Sequence, residues 1–175
     1  SAKNSLADQL KIVARLIHGG LKTKIYFVSL SGFDTHSTQV DPTNVLIGTH
    51  ADLLGKVSTA ISAFQQDLKL QGIEDKVVGM TFSEFGRRAN SNNSRGTDHG
   101  VAAPMFVFGS NLKHRTFGQN PDLANLTGQT GNKDITMQID FRRVYTDILN
   151  DWFGTASTTT NSLLFHPFPT ISLFS

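Results

Sequence analysis

Two short apolar runs, Lys24–Leu30 (KIYFVSL) and Lys76–Phe82 (KVVGMTF), bracket one long helical stripe, and this order constrains the fold more than any other feature of the chain. β-Branched and aromatic residues dominate the runs, and Ser31-Gly32 closes the first, so each reads as a buried strand. Between them Leu46, His50, Leu53, Leu54, Val57, Ile61, Phe64 and Leu68 recur on one helical face. That stripe predicts a helix over 44–70, with Gly72 where a helix-ending glycine belongs. Strand, helix and strand of these lengths make a βαβ unit, whose strands lie parallel with a right-handed crossover.

The flanking segments fill in the pattern. Ser5-Leu6-Ala7-Asp8 has the form of a capping box, and Leu6, Leu10, Val13 and Ile17 continue at helical spacing to Gly19-Gly20, predicting a helix over 5–18. Pro104–Phe108 (PMFVF) reads as a third, shorter strand; the segment before it has no helical period, so an antiparallel return is expected. Residues 110–139 read as loop. Asp140 caps a helix bearing Phe141, Val144, Tyr145, Ile148 and Trp152, closed by Gly154, and the tail from Thr155 is expected to lie along the surface. Three strands leave sheet edges uncovered. The chain is therefore expected to be one domain, 1–175, that is completed by a missing N-terminal half or a partner chain.

Composition narrows the function classes. A length of 175 residues supports one domain with a real core. A net charge of +2 from scattered basic residues gives no footprint for nucleic acid or a membrane surface. No cysteine is present, which excludes disulfides and thiolate metal sites, and no apolar run approaches the roughly 18 residues of a membrane span. The low charged fraction, offset by Ser, Thr, Asn and Gln, leans towards an exported protein, periplasmic or extracellular.

Ligands of parallel α/β sheets bind beyond the carboxyl ends of the strands. Asp34 and His36 directly follow the first predicted strand, and Glu84 directly follows the second. Asp98 and His99 precede the third and join the others if that strand runs antiparallel. Carboxylates mixed with imidazoles, without sulfur, form a ligand set for zinc, manganese, iron(II) or magnesium, with calcium as a further oxygen-seeking ion. Such an ion suggests hydrolysis of an anionic ester, with Arg87 or Arg88 holding the anionic oxygens. Plainer roles compete at each position: a turn for Asp34 and for Asp98, a surface ion pair between Glu84 and Arg87, and a core position for His50. Thr35, Ser83 and Thr97 are hydroxyls without a recognisable activating base, and His18, His114 and His166 sit in caps or loops.

Gly32-Phe33-Asp34-Thr35-His36, His50 with Leu53-Leu54, Thr81–Arg87 (TFSEFGR), Gly96–Gly100 (GTDHG) with Pro104, and Asp140–Tyr145 (DFRRVY) with Trp152 and Gly154 occur in order along the chain. This series resembles the bacterial domain of unknown function 1501, of the alkaline phosphatase/sulfatase-like superfamily, over nearly the whole length. The resemblance implies a three-layer α/β/α fold with a mostly parallel mixed sheet, incomplete in this chain. It implies a divalent metal (zinc, manganese, magnesium or calcium) held by Asp34, His36, Glu84, Asp98 and His99, with Arg87 and Arg88 in catalysis. Phe85 stands where the superfamily has a histidine, and the nucleophile has no match here. The implied activity is hydrolysis of phosphate or sulfate esters, on a small anionic ester or a sulfated or phosphorylated polymer. The alternative is a non-catalytic module that binds metal or an anionic polysaccharide.

Overall fold

The computed structural model describes residues 3–113, 116–126 and 133–175. His114 and part of the predicted 110–139 loop lie outside them. The chain divides into two compact units, Ser1–Val77 with Asn90–Asp98, and Val78–Ala89 with His99–Ser175.

The first unit is built on two helices, α1 (Ser5–His18) and α2 (Thr49–Leu70), which pack on each other. Their buried faces are Leu6, Leu10, Val13 and Ala14 on α1, and Leu53, Ala60, Phe64 and Leu68 on α2, as helical spacing requires. The cap of α1 is Asn4 rather than Ser5: its side chain accepts from the Ala7 N–H, while its amide donates to the Lys56 carbonyl at 2.9 Å and so ties α1 to α2. Helix α2 begins at Thr49, later than the stripe predicts. The Asp41 carboxylate accepts from the backbone N–H groups of Thr43 and Asn44 at 2.8 and 3.1 Å, which commits that stretch to a turn. Gly48 closes the turn at φ 128°, and a Cβ there would lie 2.8 Å from the Asp41 nitrogen. Leu46 consequently leaves the helical stripe and is 81% exposed. The Thr43 hydroxyl and the two N–H groups hold the Asp41 carboxyl below its ordinary range.

Among the described residues the predicted strand at 24–30 is not part of any sheet. Its residues alternate, with Tyr26, Val28 and Leu30 half-buried and Ile25 and Phe27 each 74% exposed. The Gln9 carboxamide takes the place of a neighbouring strand, donating to the Ser29 carbonyl at 2.8 Å and accepting from the Ser29 N–H at 3.0 Å.

In the second unit, β1 (Gly79–Met80) pairs antiparallel with a later strand, Val107–Phe108, in the register Gly79↔Phe108 and Met80↔Val107. The Thr81 N–H donates to the Phe106 carbonyl at 2.9 Å and extends that pairing by a residue. The antiparallel return of segment 104–108 is thus present, but as a two-residue ladder. A hairpin that the sequence reading lacked, β2 (Gly86–Ser91) with β3 (Thr97–Gly100), lies between these strands in sequence; Val107–Phe108 is accordingly β4. The tip of the hairpin, Asn90–Asp98, belongs to the first unit.

These pairings overturn the expected architecture. Among the described residues both sheets are two-stranded and antiparallel, so there is no βαβ unit and no three-layer α/β/α arrangement with a mostly parallel sheet. An apolar run records that a segment is partly buried; whether it is hydrogen-bonded into a sheet depends on a second edge elsewhere in the chain. Segment 24–30 buries its inner residues without such an edge, and a 3₁₀ turn, Glu74–Lys76, consumes the start of the second run.

The rest of the second unit is helical. Asp140 caps α3 (Phe141–Asp147), accepting from the Arg142 N–H at 2.9 Å, and a π turn continues the helix over Ile148–Trp152. A fourth helix, α4 (Ser157–Leu163), replaces the expected surface tail; its buried Thr160 hydroxyl donates to Asn150 Oδ1 at 2.6 Å. The last residues return to α3, where Ile171 and Leu173 donate their N–H groups to the fully buried Asp147 carboxylate.

Candidate functional site

In the segment Phe33–His36 the backbone turns sharply, with the Thr35 N–H donating to the Phe33 carbonyl at 2.8 Å. Thr35 is buried, and its hydroxyl donates to Gln39 Oε1 at 3.2 Å. With the middle residue inward, Asp34 and His36 are left together on the outer side, where His36 Nδ1 and Asp34 Oδ1 are 2.7 Å apart. Their side chains are 62% and 47% exposed. An exposed ion pair of this kind adds only about 0–1 kcal/mol to stability, so folding alone gives little reason for the pair. A carboxylate oxygen and an imidazole nitrogen this close can hold one cation in place of the proton that they share.

The loop is held by the hairpin tip of the same unit. Thr38 and Gln39 donate their N–H groups to the Ser94 and Arg95 carbonyls, each at 3.0 Å. Gln39 Oε1 also accepts from the Thr97 hydroxyl at 2.9 Å. The Asn92 side-chain amide donates to the His36 carbonyl at 2.7 Å and to Asp98 Oδ1 at 3.3 Å, while Asn92 Oδ1 accepts from the Ser94 and Gly96 N–H groups. Gly96 makes the approach feasible, since a Cβ there would lie 2.2 Å from the His36 carbonyl oxygen and 2.5 Å from that of Thr35. Thr35 and Thr97, candidates for a nucleophile, thus have their hydroxyls engaged by one carboxamide. His50 has the packing role expected of it: its half-buried ring meets Phe33 edge-on, with centroids 6.1 Å apart.

Of the remaining predicted residues, Asp98 belongs to the hairpin tip in the first unit, and Glu84, Arg87, Arg88 and His99 lie in the second. Phe85 stacks on His99 with ring centroids 3.9 Å apart and planes 10° from parallel. The Arg87 guanidinium lies 4.9 Å from the Phe85 ring centroid, and Arg88 Nε donates to the His99 carbonyl at 3.1 Å. Cation, phenyl and imidazole are therefore packed around the base of the hairpin, an attraction of about 0.5–1 kcal/mol for an exposed cation–ring pair. Glu84 is exposed in the bend before β2. Of the five predicted metal ligands, the structure brings Asp34 and His36 together within the first unit, while Glu84 is exposed and His99 is stacked on Phe85 in the second.

Sequence reasoning missed Gln39, Asn92 and the stacking of Phe85 on His99. The turn-forming run Asn92-Asn93-Ser94-Arg95-Gly96 was a usable signal for the hairpin, but its contact with His36 spans 56 positions and has no local signature.

These features define a helix-rich chain with short antiparallel strand pairs that presents a carboxylate–imidazole pair on a braced loop. The chain belongs to the family described as Protein of unknown function (DUF1501), which it matches over residues 6–163. No curated protein and no solved structure matches it.

Proposed function

We propose that this chain binds a divalent cation through Asp34 and His36, and serves in metal-dependent hydrolysis of phosphate or sulfate esters. The observation that carries the reading is the 2.7 Å Asp34–His36 pair on a loop braced by Gln39, Asn92 and Gly96. Bracing an exposed pair fixes donor geometry, which ligation needs. A carboxylate oxygen beside an imidazole nitrogen suits zinc or manganese better than magnesium or calcium, which favour oxygen throughout. Such an ion, when bound, lowers the pKa of a coordinated water or hydroxyl and polarises an ester oxygen. The resemblance to alkaline phosphatases and sulfatases supports the same reaction class.

The exposure of the Asp34 and His36 side chains favours a second reading. Hydrolytic sites gain from excluding water, and an open surface suits retention of an anionic polysaccharide without turnover. Zinc titration by calorimetry, elemental analysis of the purified chain, and turnover of aryl phosphates and sulfates separate the two. Stoichiometric zinc, lost in His36→Ala and kept in Glu84→Gln, supports the ligand set. Turnover that disappears with the metal supports the hydrolase, and metal binding without turnover selects the binding module. Equal zinc uptake by the wild type and His36→Ala sinks both.

A further inference from the structure

Arg142 and Arg143 are neighbours with opposite electrostatic situations. Arg142 forms a bidentate pair with Asp140, Nε to Oδ1 at 2.9 Å and Nη2 to Oδ2 at 2.6 Å. Arg143 donates Nε to the Pro169 carbonyl at 3.0 Å and Nη2 to the Thr170 carbonyl at 3.1 Å, and pairs with no carboxylate among the described residues. It is half-buried. The two carbonyls occupy one edge of the guanidinium and fix its plane, while Nη1 and the second Nη2 hydrogen point elsewhere. A half-buried cation that is oriented but not neutralised gains from any anion that reaches it.

The surroundings are suited to that. Arg143 lines a cleft of 340 Å³ together with the hydroxyl residues Thr116, Thr170 and Ser172, and with Phe117 and Ile139. Ser172 adopts φ +60°, and its neighbours Ile171 and Leu173 both donate their N–H groups to Asp147. The tail segment that forms one wall is therefore anchored from below. Hydroxyls donate to oxyanions as readily as they accept, and a guanidinium supplies paired donors at the spacing of two oxygens. The volume is at the small end of ligand sites, which run from about 300 to 1,000 Å³.

We infer that this cleft binds the anionic head of a small phosphate or sulfate ester, with Arg143 as its cation, Thr116, Thr170 and Ser172 as hydroxyl donors, and Phe117 and Ile139 against the organic portion. The inference uses none of the proposed metal ligands and stands or falls separately from the metal reading. The test is a titration of the whole chain with phenyl phosphate, and in parallel with inorganic phosphate, sulfate and chloride. It is run at constant ionic strength in the presence of a chelator, following the amide signals of Gly118 and Ser172. Saturable shifts with phenyl phosphate are expected, weakened about tenfold or more in Arg143→Gln, as loss of a charge-assisted pair implies. Thr116→Val removes a hydroxyl without touching the tail and is expected to weaken binding several-fold. Tighter binding of phenyl phosphate than of the inorganic ions identifies an organic ester as the ligand, and equal binding identifies the free ion. Shifts that match those of chloride, or affinities unchanged in both variants, overturn the inference.

Discussion

The carboxylate of Asp147 is the anchor whose removal has the most calculable effect. Asp147 is fully buried, and Ile171 donates to its Oδ1 and Oδ2 at 3.1 and 3.3 Å while Leu173 donates to Oδ2 at 2.8 Å. In Asp147→Ala those two N–H groups lose a charged acceptor, each such bond contributing about 1.5–3 kcal/mol. If the tail stays in place, both donors are stranded in the interior. If it leaves, they regain water, but Leu173 surrenders a buried side chain worth about 1.5–3 kcal/mol and the two carbonyl bonds of Arg143 go with it. Either route costs about 3 kcal/mol. At about 2–4 °C per kcal/mol for a chain of this size, the melting temperature should fall by about 6–12 °C. Asp147→Asn retains one acceptor oxygen and should lose about half as much. Differential scanning calorimetry reads the total, and amide exchange at Ile171 and Leu173 reads the tail directly. A drop below about 2 °C, with Leu173 still protected from exchange, would refute the reasoning.

Other consequences are as direct. Gly96→Ala puts a methyl group into the His36 and Thr35 carbonyls, so the hairpin tip must withdraw from the loop. Zinc affinity should fall at least tenfold while far-ultraviolet circular dichroism stays unchanged, and unaltered affinity would show that the bracing does not set the donor geometry. The Arg142 guanidinium, opposed by partial burial and aided by the Arg142 N–H, holds the Asp140 carboxyl below its ordinary range. Because its folded pKa is depressed, the stabilisation is fully present above the ordinary aspartate pKa and is lost as pH falls through the folded value. Asp140→Asn, which can still cap α3, should therefore flatten the acid limb of a stability–pH curve while changing stability at pH 7 by only about 1 kcal/mol. Ile25→Lys places a charge on the exposed face of segment 24–30 and should reduce self-association in light scattering without shifting the melting temperature.

Local chemistry in the sequence was sufficient for α1, α2 and α3, though not for α4. The stripes of α1 and α2 and the Asp140 cap of α3 are legible because each depends on residues within a few positions. The errors at their ends were local competitions: Asn4 capped where Ser5 was expected, and the Asp41 turn claimed residues that the α2 stripe included. Asp34 and His36 were singled out because they follow the predicted strand 24–30, which pairs in no sheet among the described residues; what brings them together is a turn with Thr35 inward. Tertiary structure decided everything that needs a partner from afar. Segment 24–30 has the composition of a strand, but the Gln9 carboxamide, not a second strand, meets Ser29. The run 76–82 keeps only Gly79 and Met80 in a ladder, and β4 sets its direction. Asn92 and Gln39 brace the Asp34–His36 loop across spans that leave no periodic trace. Hydrophobic pattern specifies which side of a segment is buried; hydrogen-bond partners of the backbone are chosen only when the whole chain has collapsed around it.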